Sequence, residues 1–187
     1  MHILLELWLP IVVSAAFAFV ASFIIHMALP WHRSDFRRLP DEEGFRAAVR
    51  PLAVPPGDYL VPRPADPKDM NSPEFARKRS EGPVVVMTVR PNGAMSMSRS
   101  LALWFLYLLV VSYFAAYVSG HALHPGASYR HVFRFAGLAS FLGYSLALWQ
   151  NSIWWGRSWA ATLRANIDGI IYAGLTAGTF GWLWPHM

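Results

Sequence analysis

The chain contains no cysteine. Disulfides, thiolate metal sites and iron–sulfur clusters are therefore excluded outright. Charge is also scarce in places: no Asp, Glu, Lys or Arg lies between Ser100 and Tyr129. A soluble fold does not tolerate so long an uncharged apolar run, whereas about 20 apolar residues at about 1.5 Å each cross a bilayer core of about 30 Å. Catalytic signatures are missing as well. There is no Walker loop, no HExxH, no GxSxG and no pair of carboxylates inside an apolar span. Without a positioned nucleophile or acid–base pair, an enzyme ranks below a non-catalytic reading.

What is present is apolar and aromatic. The 187 residues are 55% hydrophobic, with nine Trp, seven Tyr and 12 Phe. The mean hydropathy of +0.30 is high for a soluble domain and low for a chain that is all membrane. A polytopic protein with one polar loop fits both facts. The net charge of +5 invites a nucleic-acid partner. The basic residues flank apolar spans, so membrane orientation explains them more simply and the expected partner is the bilayer.

The pattern predicts an all-α membrane protein with four transmembrane helices and a small irregular α+β cytoplasmic cap between the first and second. Residues 1–30 hold the first helix, 31–99 the Pro-rich cap, and 100–187 the other three. The first span runs over 7–29. No Lys or Arg precedes it, so a retained helix is expected in place of a cleaved signal peptide. The second span is 101–122, the third 131–149 and the fourth 167–184, with 159–164 an interfacial turn. Only about ten residues separate the second and third, which should form an antiparallel hairpin.

The cap carries nine prolines between Pro51 and Pro91, 12 Lys or Arg, and nine Asp or Glu. So many prolines argue against a deep core. Asp41-Glu42-Glu43 followed by Arg46 and Arg50 predicts a short helix that Pro51 ends. Ser72-Pro73-Glu74 predicts the start of another, through Arg79. The β-branched run 83–89 predicts a strand, with 58–61 as its partner.

Small residues recur every four positions in the spans. Ser14, Ala18, Ser22 and His26 share a face of the first; Ser112, Ala116 and Gly120 share one on the second. On the fourth, Gly174 and Gly178 form a GxxxG motif, and Gly169, Ala173, Ala177 and Gly181 make a second row. Such rows let helix backbones approach closely in lipid. They motivate the leading expectation for function: a non-enzymatic membrane subunit that self-associates or docks a larger complex.

Two polar clusters supply alternatives. His26, Gln150, Asn151, Arg164 and Asp168 gather at the inner helix ends, where Arg164 and Asp168, four apart, can pair. They would serve a small channel or transporter with its pathway between subunits. His2, His121, His124, His131 and His186 fall on the opposite face. His121, His124 and His131 could chelate zinc or copper across the hairpin, a third reading. Bare imidazole pairs are a weak zinc signature, and water and headgroups satisfy them more simply. No cofactor is otherwise expected. His26 lies at the wrong end to share a haem with the other membrane-adjacent histidines.

Fourteen Lys or Arg fall in 31–99 and 157–164, against Arg130 and Arg134 on the other side. Both termini are therefore expected outside and the cap in the cytoplasm. The stretches Trp31-His32-Arg33-Ser34-Asp35 through Leu39-Pro40, Ser100 to Phe105, and Thr176 to Pro185 resemble a group of uncharacterised bacterial inner-membrane proteins. That resemblance implies a four-span protein of the bacterial inner membrane. It transfers no activity and no site.

Overall fold

The computed structural model describes residues 6–186. The chain is mostly helical and forms two compact units, one of residues up to Arg37 together with Ser96 onward, the other Arg38–Met95.

In the first unit α1 is Trp8–Phe23, extended by a π-helical turn, Ile24–Ala28. Helix α4 is Met97–Ala122, α5 is Tyr129–Tyr144, α6 is Trp149–Trp155 and α7 is Trp159–Trp182. A 3-10 turn, Leu146–Leu148, joins α5 to α6. The four long helices close a ring in the order α1, α4, α5, α7 and back to α1. Their meeting faces are built of small side chains: Ser14, Ala15 and Ala18 on α1, Ala115 and Ala116 on α4, Ala136 and Ser140 on α5, Ala173 and Ala177 on α7. In lipid, close van der Waals approach replaces hydrophobic exclusion as the force between helices, and small residues permit it. Hydroxyls add cross-links. Ser14 donates to Ser112 at 3.0 Å, and the Trp104 indole donates to Ser22 at 2.9 Å.

The outer faces are apolar. Trp154 and Trp182 are 75% and 67% exposed. Three helices are long and apolar enough to cross a membrane: Trp8–Ala28, Met97–Ala122 and Tyr129–Trp155. The third is longer than the 131–149 read from the sequence, because α5, the 3-10 turn and α6 run on as one rod. Helix α7 is 24 residues long, yet a fourth span over 167–184 is not shown. Its glycines and threonines, with Arg164, Asn166 and Asp168 in its first half, dilute its apolar character. The expected interfacial turn at 159–164 is the first part of α7 itself.

The second unit holds α2 (Glu42–Val49), β1 (Gly57–Val61), α3 (Pro73–Glu81) and β2 (Val85–Val89). The Asp41 carboxylate accepts from the Gly44 amide at 2.8 Å, and Ser72 Oγ from the Phe75 amide at 3.0 Å. The second helix thus starts on the Ser72 cap that the sequence marks, and the first starts on Asp41, which the sequence marks only as an acid at the helix start. The strands pair antiparallel, Gly57 opposite Val89 and Val61 opposite Val85. Phe75 is the only buried side chain of this unit, as a segment so rich in proline dictates.

Candidate functional site

The site begins where α1 ends. Pro30 has no N–H to continue a helix and forces the residue before it into extended backbone. Leu29 accordingly sits at φ −92°, ψ 144°. The last turn widens into the π form, with the Leu29 amide reaching Ile24 O at 3.3 Å. Such turns recur at functional sites. Pro30 then opens a 3-10 turn, Pro30–His32, and the Asp35 amide closes back on His32 O at 3.0 Å. The chain therefore doubles back beneath α1 and brings His32 and Asp35 to α7.

Four charged or ionisable groups interlock there. His32 Nδ1 lies 2.7 Å from Asp35 Oδ2, and His32 Nε2 lies 2.7 Å from Asp168 Oδ2. His32 thus bridges the two carboxyl groups through its two ring nitrogens. Arg164 donates to Asp35 Oδ1 through Nε at 2.9 Å and Nη2 at 2.6 Å. The carboxylates of Asp35 and Asp168 are nearly sealed, at 5% and 6% exposure. The Arg164 guanidinium and the His32 ring supply the partners that two buried carboxyl groups need away from water. Burial pushes the Asp35 carboxyl up, but the hydrogen bonds from His32 and Arg164 and the charges of both outweigh it, leaving the group below its ordinary value. Asp168 is the only carboxylate side chain after Glu81.

His26, in the π turn, stacks on His32 with ring centres 4.5 Å apart and planes 4° from parallel. Its Nδ1 meets Ser22 O at 2.9 Å. A carbonyl only accepts, so Nδ1 carries a proton.

His26 and Asp168 also form the polar end of a cleft of 660 Å³. Phe19, Phe23, Trp104, Tyr107, Tyr144 and Tyr172 supply its aromatic wall, so α1, α4, α5 and α7 all contribute. The wall is braced: Tyr107 donates to Gly143 O at 2.6 Å, and Trp104 stacks against Tyr107 at 5.5 Å. Tyr144 and Tyr172 are 6% and 4% exposed, and neither hydroxyl has a hydrogen-bond partner among the described residues. A buried hydroxyl without a partner costs about 1–3 kcal/mol. Both residues line the cleft, but their hydroxyl oxygens are sealed from solvent.

The sequence-marked residues divide. His26, Arg164 and Asp168 are brought together, but Arg164 pairs with Asp35 and not with Asp168. Gln150 is exposed, and Asn151 bonds only locally, to Leu148 O at 3.2 Å. His121, His124 and His131 are each exposed and tied to their own turn: His121 to Tyr117 O at 2.8 Å, His124 to Pro125 O at 2.7 Å, His131 to Ser128 Oγ at 3.2 Å. Among the described residues, the group of His and carboxylate atoms that converges within 4.8 Å is His26, His32 and Asp168, not that trio. His2 lies outside the described residues.

The α7 rows also divide. A Cβ on Gly169 would collide with Ser145 Oγ, and one on Gly181 would meet the Tyr129 ring at 2.6 Å. Ala173 and Ala177 are buried in the bundle. Gly174 has open space around it, and Gly178 comes no nearer than 3.6 Å to Tyr129 Oη.

His32, Asp35 and the two tyrosines are the residues that sequence reasoning missed. The His32–Asp35 spacing of three, directly after Pro30, was the available signal. Comparisons of the chain with protein-family models, with curated proteins and with solved structures return no match.

Proposed function

We propose that this protein binds a neutral amphipathic lipid within the membrane. The tail lies along the aromatic wall of the cleft, and the head hydrogen-bonds to His26 and Asp168 and draws the sealed Tyr144 and Tyr172 hydroxyls toward it. The observation that carries this reading is a 660 Å³ cleft with an aromatic wall that ends at His26 and Asp168. That volume suits one small ligand. The charged side chain lining the cleft is the Asp168 carboxylate, while Arg164 is engaged by Asp35. Among the described residues no Lys or Arg lines the cleft to hold an anionic head, whereas a hydroxyl-bearing head can donate to Asp168.

On this reading α7 crosses the bilayer as a fourth span, in a bacterial inner membrane, with both termini outside and 31–99 in the cytoplasm. The basic residues beside the spans support that orientation. Cysteines placed at Ser72 and Ser128 should then label from opposite sides.

Lipid extraction from protein purified in mild detergent, followed by mass spectrometry, tests the reading. Wild type should release one neutral lipid per chain. Leu101→Trp, which fills the cleft, should release none, and Leu103→Trp, on the lipid-facing surface, should match wild type. Equal lipid content in all three would defeat the proposal.

A second reading, assembly of several copies through α7, retains one observation: the open space at Gly174. Crosslinking of Gly174→Leu in native membranes separates it from the first.

A further inference from the structure

We infer that His26, His32 and Asp168 form a site for one divalent transition-metal ion at the polar end of the cleft. Three independent features of the geometry support it. The ligand atoms lie within 4.8 Å of one another. They come from three separate elements, the π turn, the 3-10 turn and α7, so the fold and not a local motif assembles them. Each imidazole has its Nδ1 engaged, His26 by the Ser22 carbonyl and His32 by the Asp35 carboxylate. Metal-binding histidines show this arrangement almost without exception, because the outer partner fixes the tautomer and aims Nε2 at the ion. Arg164 in turn holds Asp35.

Two imidazoles and one carboxylate select the metal's class. Calcium and magnesium prefer all-oxygen shells. The mixed set suits zinc or ferrous iron, and three protein ligands leave a position open for an oxygen of another molecule. That position would face the cleft, since His26 and Asp168 line it. The metal site shares those two residues with the proposed lipid site but does not rest on lipid being bound.

Loading the ion changes two contacts. The proton between His32 Nε2 and Asp168 leaves to solvent, and the 2.7 Å contact opens to fit metal bonds of about 2.0–2.2 Å on each side. The parallel stack of His26 on His32 also breaks, because a shared ion must lie near both ring planes. His26 is free to turn: it is exposed and held by one hydrogen bond.

The test uses the full chain in detergent, stripped of metal by a chelator and of lipid by exchange. Zinc is titrated by calorimetry, and cobalt by its visible spectrum. Wild type should take up one zinc per chain. His32→Ala and Asp168→Asn should lose saturable uptake, while the double variant His121→Ala, His124→Ala should match wild type. Asp35→Asn touches no metal, so it should keep one site, weaken it about 10–100-fold and alter the cobalt spectrum. A thermal melt of each variant guards against misfolding as a trivial cause of loss. Wild type without saturable uptake would overturn the site, as would uptake that survives both His32→Ala and Asp168→Asn. Lipid content is measured on separate unstripped samples, so failure here leaves the lipid reading standing, and the converse also holds.

Discussion

His32 Nε2 stands 2.7 Å from Asp168 Oδ2, although the residues are 136 positions apart. This contact ties the segment after α1 to the first half of α7. It places a hydrogen-bonded network of two carboxyl groups, an imidazole and a guanidinium against the end of an apolar cleft.

Removing Asp35 should be costly. Asp35→Ala leaves Arg164 and His32, 23% and 16% exposed, without their shared acceptor. Breaking a buried charge pair from one side costs about 3–5 kcal/mol, and the partial exposure here puts the expectation near the lower end. Arg77→Ala breaks the Arg77–Glu81 pair, which is more than half exposed on both sides, and should leave stability nearly unchanged. Denaturant unfolding of both variants in detergent checks the contrast.

The glycines of α7 should behave in opposite ways. Gly181→Ala drives a methyl into the Tyr129 ring, 2.6 Å away, and should cost about 1–3 kcal/mol. Gly174→Ala meets nothing within 4 Å and should stabilise by up to about 1 kcal/mol through helix propensity. Thermal melts of the two variants give the signs directly.

Acid should loosen the second unit at Asp69. Its carboxyl is held below its ordinary value by the Ala65 amide first, then by the Ser72 hydroxyl and the Lys78 charge. A depressed carboxyl contributes stability that is fully present above its unfolded value and lost as pH falls through the folded one. Protection factors at Ala65 and along α3, taken relative to intrinsic exchange at each pH, should therefore fall with acidification across and below the ordinary carboxylate range. In Asp69→Asn the protection should be lower at neutral pH and should lose most of this pH dependence.

Much of the scaffold could be read from the chain. Long apolar runs located three helices able to cross a membrane, Ser72 marked a helix cap, Asp41 marked an acidic helix start, and β-branched residues at 83–89 marked a strand, observed at 85–89 and paired with 57–61 where 58–61 was expected. These signals are local, so they survive without knowledge of tertiary contacts. The site was only half legible. Helix-end positions put His26, Arg164 and Asp168 at one level, but spacing alone favoured an Arg164–Asp168 pair. The turn at Pro30 decides otherwise, by delivering Asp35 to Arg164 and His32 to Asp168. No periodicity encodes that reversal. The cleft is harder still, since Tyr144 and Tyr172 read as ordinary core aromatics until their hydroxyls are found without partners.

The most direct test of the lipid-binding account is the sign of one stability change. The double variant Tyr144→Phe, Tyr172→Phe removes both unpartnered hydroxyls and is compared with wild type in bilayer nanodiscs and after delipidation. If a lipid head occupies the cleft, the variant should be less stable than wild type in the nanodisc and should lose the bound-lipid mass seen by native mass spectrometry. After delipidation the order should reverse, because each orphaned hydroxyl costs about 1–3 kcal/mol. A variant that is more stable than wild type in both settings, with no lipid mass on either protein, would contradict the account.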